Sequence, residues 1–297
     1  MWDLVVIIVT WNVRELLANC LESVFHSPFR SKTKVVVWDN ASTDDTVGQL
    51  ESKFPDVRWI RSEENLGFVR ANNRVLGEYE VQARYFLLLN ADTVVSPGAF
   101  DVLMDFLDAH PEVGIAGGKV TRPDGELDWP CKRSYITPTA LFSKALGLAH
   151  LFPHSRRFGK YELTYLDENQ LHEVDAVLGA FLMIRRETLG QIGPMDERLY
   201  MYGDDLDWCY RAKAAGWKVF YVPDAHVVHY KSASSIKRSY RMIYWLYRAT
   251  WLVYRRHLAP RYSLPVNAMV WLGFQVMCGA SLVRNLFRSE KSLPFSD

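Results

Sequence analysis

The sequence predicts an α/β fold: an open, mostly parallel sheet with helices on both faces. Three observations predict it. Strand-length apolar runs alternate with helical patterns over roughly the first 120 residues, the order that builds a parallel sheet. The runs lack in–out alternation, as strands buried on both faces do. Several end in side chains that carry oxygen, Thr10-Trp11-Asn12, Asp39-Asn40 and Asn90-Ala91-Asp92. Open sheets of this class bind ligands beyond the carboxyl ends of their strands.

The elements follow in order. Leu4 to Thr10 is a buried strand, and Val13 to Phe25 has a helical pattern. Lys34 to Trp38 is a second strand that stops at Asp39-Asn40-Ala41-Ser42, a turn and N-cap cluster opening a helix from Asp44 to Phe54. A short strand, Val57 to Arg61, precedes the loop Asn65-Leu66-Gly67-Phe68 and a helix from Val69 to Leu76. Tyr85 to Leu89 is the next buried strand, Pro97 starts a helix to Ala109, and Gly114 to Val120 is a strand. Thr121 to Asp175 is rich in loops, with one apolar helix near Pro138 to Leu148, and insertions on a ligand edge often shape specificity. Val174 to Arg185 reads as a strand and Glu187 to Ile192 as a short helix. A helix from Gly203 to Ala215 and a final strand from Lys218 to Val222 follow, with His226 and His229 beyond it.

Composition sets bounds on function. With 49% hydrophobic and 23% charged residues, the 297-residue chain can bury a sizeable core, which excludes disorder and a disulfide mini-scaffold. A formal charge of +1 argues against a nucleic-acid-coating protein. The balance is uneven, however. From Ile236 onward ten Lys and Arg face only Glu290 and Asp297, a charge of +8, and the rest of the chain is −7. That split predicts a main body and a basic tail that meets something anionic. Cys20, Cys131, Cys209 and Cys278 show no metal spacing and are expected to be reduced thiols in a cytosolic protein. Met1-Trp2-Asp3 lacks the basic start of a signal peptide.

Chemistry concentrates at a few positions. Asp204, Asp205 and Asp207 crowd a helix N-terminus, where the dipole favours carboxylates by ~0.3–1 kcal/mol each. A cap needs one acid, and Asp207 has Arg211 four residues on as a partner. The surplus acid is a candidate general base, its pKa raised by its neighbours. Asp92 at a strand end is a candidate ligand for Mg²⁺ or Mn²⁺, which His229 could complete.

The order of these pieces resembles the family 2 glycosyltransferases, inverting enzymes of GT-A fold, and in particular their rhamnosyltransferase-like branch. The pieces are Ile8-Val9-Thr10-Trp11-Asn12, Asp39-Asn40-Ala41-Ser42-Thr43-Asp44, and Asn65-Leu66-Gly67-Phe68 with Asn72-Asn73. They continue with Leu89-Asn90-Ala91-Asp92, Gly179-Ala180-Phe181 with Arg185-Arg186, and Gly193-Pro194-Met195-Asp196-Glu197. Gly203-Asp204-Asp205-Leu206-Asp207 and His229 followed by Ser232 complete the series. The resemblance implies that Thr10, Asn12, Asp39, Asn65, Gly67, Asn72, Asn90, Ala91 and Gly179 surround a nucleotide sugar. Asp39 would meet the pyrimidine or ribose. Asp92 would hold Mg²⁺ or Mn²⁺ on the diphosphate, with His229. Asp205 matches the second position of the family's Glu-Asp motif, the catalytic base, and Asp204 is the alternative. Asn90 stands where the family's metal motif begins with Asp, and Asp204 where its Glu-Asp motif has Glu.

Chemically, a nucleotide diphosphate leaves as a divalent cation stabilises its charge, while a carboxylate takes the proton of the attacking hydroxyl. A hydrolase with paired carboxylates would need a protonated acid at the leaving oxygen, and no residue is an obvious candidate.

The tail reads as helical from Ser239 to His257. Tyr240, Tyr244, Tyr247, Trp251 and Tyr254 form an aromatic stripe, and Arg241, Arg248 and Arg255 a basic one beside it. That pattern predicts a helix in a membrane interface, rings at headgroup level and guanidinium groups on lipid phosphates. Leu264 to Val283 is uncharged and long enough to span a bilayer, but Pro265, Asn267, Gln275 and its glycines favour a second interfacial helix or a shallow hairpin. The expected organisation is a catalytic domain over 1–235 and a membrane-association segment over 236–297. The expected function is sugar transfer, rhamnose being one option, from a TDP- or UDP-linked donor to a lipid-linked or glycan acceptor in cell-envelope synthesis. Its site of action is the inner face of the plasma membrane. The alternative is a non-catalytic nucleotide-sugar-binding module anchored at the membrane.

Overall fold

The computed structural model describes residues 1–26, 29–230 and 240–286. Ser232, Lys237, Arg238, Ser239, Arg288, Glu290, Lys291 and Asp297, used in the reading above, lie outside those residues. The first half alternates as expected: β1 (Trp2–Thr10), α1 (Arg14–Phe25), β2 (Thr33–Asp39), α2 (Thr46–Leu50), β3 (Arg58–Arg61), α3 (Gly67–Tyr79), β4 (Ala83–Asn90), β5 (Thr93–Val95), α4 (Ala99–Ala109) and β6 (Val113–Thr121). An insertion with α5 (Pro138–Ala145) and α6 (Leu148–Leu151) leads to β7 (His172–Glu173), β8 (Phe181–Arg185) and α7 (Arg186–Ile192). The chain continues with α8 (Asp204–Ala214), β9 (Lys218–His229), α9 (Tyr240–His257) and α10 (Leu264–Leu286).

Among the described residues one sheet holds all the strands, in the order β3-β2-β1-β4-β8-β6-β9-β5, with β7 paired to β9. β3, β2, β1 and β4 are mutually parallel, and β8 enters antiparallel between β4 and β6. The parallel strands are buried because helices cover them: Leu4 to Ile8, Val35 to Val37 and Phe86 to Leu89 are 0–2% exposed. α3 lies on β1 and β2, α4 on β6 and β9, and α8 on β9.

Three expectations differ from what is found. Val174 to Arg185 is not one strand: β7 ends at Glu173 and β8 begins at Phe181. Between them Arg133 and Ala176 exchange backbone hydrogen bonds, so this stretch pairs with the insertion instead. The last strand does not stop at Val222. β9 bulges over 223–225, where its register to β6 shifts from Gly118↔Val222 to Lys119↔His226, and continues to His229 beside Thr93. The α2 helix is also shorter than the predicted Asp44 to Phe54.

The aromatic stripe of α9 does not face outward along its length. Tyr240 and Tyr244 are exposed, but Tyr254 is buried, its hydroxyl donating to Asn267 Oδ1 at 2.8 Å and its ring stacked on Trp251 and Tyr262. α10 turns back along α9, and apolar contacts between the two helices outweigh exposure of the rings. Ala249 and Val253 of α9 join the main core beside Gly203, just before α8. Arg241 and Arg255 remain exposed.

At the bulge, a Cβ on Gly118 would sit 2.1 Å from the Ala225 carbonyl oxygen and 2.5 Å from the Phe181 ring. Gly118→Ala is therefore expected to cost ~1–3 kcal/mol through overpacking, read as a lower urea midpoint with an unchanged slope.

Candidate active site

The strand register assembles the site. Thr10 is paired with Asp39 and Val9 with Asn90, so three polar strand ends meet at one edge. β8 runs the other way, and its start brings Gly179 and Ala180 to the same edge, where Asn90 N–H donates to the Ala180 carbonyl at 3.0 Å. The turns after β1 and β2 are stitched together. Asn12 Oδ1 accepts from Thr43 N–H at 2.7 Å, Asn12 N–H donates to Ser42 Oγ at 3.0 Å, and Ser42 donates its hydroxyl to Asp39. Asn65 Oδ1 accepts from Gly67 N–H at 2.9 Å, an Asx turn that opens α3. Gly67 has φ +79°, and a Cβ there would lie 2.7 Å from the Tyr200 ring, so no other residue fits this turn without strain.

Two buried atoms at this edge have no partner among the described residues, Thr10 Oγ1 and Asn72 Oδ1. A buried oxygen left without a donor costs ~1–3 kcal/mol, so both are suited to a polar ligand. Asn73, by contrast, is structural: it exchanges hydrogen bonds with the Met195 backbone at 2.9 and 3.0 Å.

Asp92 and His229 come together across β5 and β9. His229 Nε2 lies 3.1 Å from Asp92 Oδ1 and 3.3 Å from Asn90 Nδ2, and its Nδ1 lies 3.4 Å from Asp128 Oδ2. Burial alone would lower the imidazole pKa, but the hydrogen bonds to Asp128 and Asp92 raise it to about 9. Among the described residues no three His, Cys, Asp or Glu side chains form a self-sufficient metal cage. Asp128 meets the far ring nitrogen, the position of the carboxylate that orients a metal-bound histidine. One carboxylate and one imidazole, with a diphosphate and water to complete the shell, suit a Mg²⁺- or Mn²⁺-type cation. The residues present thus fit the expected ion.

The acidic triplet divides its labour. Asp207 is locked in the structure: burial opposes its charge, but His257 Nε2 at 2.7 Å and Arg211 Nε at 2.8 Å hold its pKa below the usual range. Asp204 and Asp205 flank Gly179. Asp205 Oδ2 accepts from Gly179 N–H at 3.0 Å and pairs with the Arg133 guanidinium at 2.5 Å, while its Oδ1 accepts from Leu206 N–H at 2.8 Å. The Asp204 carboxyl is pushed up to about 7, first by burial and then by the charge of Asp205. Arg133, Asp128 and Tyr161, whose hydroxyl meets Arg133, lie in the loop-rich insertion, and no spacing in the sequence marked them.

Residues 3–248 match the protein family described as Glycosyltransferase like family 2. The chain is 31% identical over 239 residues to the N-acetylglucosaminyl-diphospho-decaprenol L-rhamnosyltransferase of Mycobacterium tuberculosis, 77% of this chain and 76% of that one. Among solved structures it resembles GalNAc-T7 with UDP, GalNAc and Mn²⁺, at TM-score 0.55 and 16% identity over 82% of this chain and 48% of that one. It also resembles S. aureus TarS 1–349 in complex with UDP, at TM-score 0.54 and 17% identity over 84% of this chain and 65% of that one. These structural likenesses concern the fold, which is GT-A-like with a central sheet that is mostly parallel.

The raised Asp204 pKa carries a stability consequence. Its folded value of about 7 exceeds the ordinary 3.8, so the contribution is fully present below pH ~3.8 and is lost as pH rises through about 7. Asp204→Asn removes that loss. Melting curves from pH 4.5 to 8 are expected to show the variant gaining on the wild type as pH rises, on the order of 3 kcal/mol at the top of the range.

Proposed function

Because the chain belongs to the family 2 glycosyltransferases, we propose that it transfers a sugar, with inversion, from a nucleotide-diphosphate donor to a hydroxyl of a lipid-linked acceptor in cell-envelope glycan synthesis. The observation that carries this reading is the strand register. It gathers Thr10, Asp39 and Asn90 at one edge, facing the Asp204/Asp205 pair across Gly179. The rhamnosyltransferase relative supports rhamnose as the sugar and a diphospholipid as the acceptor, and the UDP complexes of fold neighbours support a TDP- or UDP-linked donor.

In this reading Asp39 and the Asn12–Ser42–Thr43 turn hold the base and ribose. Thr10 Oγ1 and Asn72 Oδ1 take polar groups of the donor, and Asn65 and Gly67 shape its pocket. Asn90, Ala91 and Gly179 set the floor beneath the donor sugar. Asp92 and His229 would hold Mg²⁺ or Mn²⁺, which when bound neutralises charge on the departing diphosphate. On the other side of the sugar, Asp205 takes the proton of the attacking hydroxyl. Asp204, its carboxyl pushed up by burial and by the charge of Asp205, lies beside it, and Arg133 fixes the Asp205 carboxylate in place. A single displacement inverts the anomeric carbon. A non-catalytic binding module would have no use for two adjacent buried carboxylates, one of them with raised proton affinity. Residues 1–235 carry the donor and proton-transfer groups. Residues 236–297 meet the acceptor's membrane, with α10 lying on the cytoplasmic leaflet.

Incubating the full chain with TDP- and UDP-sugars and a sugar-diphosphoprenol tests the reading, and the absence of transfer from any donor would sink it. Asp205→Asn is expected to lower turnover by ~10²–10⁴ with donor affinity near wild type. Asp204→Asn leaves the Asp205 carboxylate and its Arg133 partner in place and is expected to retain the greater part of turnover. If Asp204→Asn is the more damaging change, the base is Asp204.

Chelation provides a separate check. Excess EDTA is expected to abolish transfer and Mg²⁺ or Mn²⁺ to restore it, and Asp92→Ala is expected to weaken donor binding. Full activity in chelator would remove the role given to Asp92 and His229.

A further inference from the structure

A cavity of about 300 Å³, lined by none of the candidate site residues above, lies between the insertion and the two C-terminal helices. Lys144 of α5, Tyr161, Glu162, Tyr247 of α9, and Ala280 and Arg284 of α10 line it. Tyr247 closes one side through a 2.7 Å hydrogen bond to Ser281. Lys144 is oriented by Glu162 at 3.1 Å and lies over the Tyr161 ring at 4.4 Å. Arg284 is exposed and has no ion pair among the described residues.

Two features give this cavity a direction. Its Tyr161 wall leads to the catalytic pair: the Tyr161 carbonyl accepts from Ser134 N–H at 2.8 Å, and its hydroxyl meets the Arg133 guanidinium that pairs with Asp205. Two side chains, Tyr161 and Arg133, therefore link the cavity to the carboxylate on the acceptor side of the reaction. The helices that wall it also carry exposed apolar residues, Phe142 and Leu146 at α5 and Leu272, Val276 and Val283 on α10. An apolar surface around a cationic recess is suited to a lipid whose head is anionic.

We propose that this cavity seats the phosphate-bearing head of a prenyl-diphosphate-linked acceptor. Arg284 and Lys144 bind the anion, and the attached sugar extends past Tyr161 towards Asp205. The proposal rests on the acceptor class given above. A guanidinium that presents paired donors, with no carboxylate partner among the described residues, favours phosphate oxygens over a neutral headgroup.

The test uses the full chain as wild type, Arg284→Glu and Ala280→Trp, the last filling the cavity from an exposed position. Farnesyl diphosphate is titrated by calorimetry into protein saturated with nucleotide diphosphate, so that the donor's phosphate site is already taken. Transfer to a sugar-diphosphoprenol is assayed in parallel. Both variants are expected to keep wild-type melting and donor affinity, to bind farnesyl diphosphate ~10-fold more weakly and to raise the acceptor KM by a similar factor. Unchanged farnesyl diphosphate affinity in both variants overturns the proposal, whether or not transfer occurs. It is also overturned if the variants lose binding only to phosphatidylcholine vesicles doped with phosphatidylglycerol, which would make the cavity a seat for bulk phospholipid. If the wild type transfers nothing but its farnesyl diphosphate binding still depends on Arg284, the acceptor reading fails and the cavity assignment stands.

Discussion

A slip of one residue between β1 and either neighbour would turn every side chain on that strand to the opposite face. The site exists because no slip occurs. Ile8↔Val37 and Ile8↔Leu89 are pinned by side chains buried on both faces of the sheet, and Thr10↔Asp39 and Val9↔Asn90 follow from them. The polar ends are thus positioned by apolar residues buried within the sheet. The antiparallel entry of β8 adds the other half, since only a strand starting at this edge could bring Gly179 and Ala180 there.

The crowded acids show how a buried charge is tolerated. Removing a carboxylate from water costs several kcal/mol unless partners replace the water. Asp207 has Arg211, Arg256 and His257. Asp205 has Arg133 and two backbone N–H groups. Asp204, buried beside the charge of Asp205, has its proton affinity raised instead.

Much of this was legible in the sequence because it is local. Continuous runs such as Leu4 to Thr10 have one reading, and the Asx-turn chemistry of Asn65 and Gly67 is written in adjacent residues. The i, i+4 spacing of Asp207 and Arg211 foretold their 2.8 Å contact. What could not be read is non-local. Arg133, Asp128 and Tyr161 act across distances of 28–101 positions, from a stretch with no periodicity to mark it. The break before β8 depends on pairing of Arg133 with Ala176, and the length of β9 on a bulge that Gly118 makes room for. The inward turn of Tyr254 needed a partner helix, which a pattern on α9 alone cannot supply.

The contact of α9 with Gly203 sets an order of events during synthesis. Ala249 and Val253 complete the wall beside α8, and His257 completes the partners of Asp207. At 5–20 residues per second the last of these leaves the ribosome roughly 3–10 s after Asp204. For those seconds the acidic turn lacks the α9 side chains that pack on it in the folded chain. A chain released early would carry the polar strand ends and lack the helix that packs on Gly203 and pairs Asp207, so translation itself decides when the acidic turn is completed.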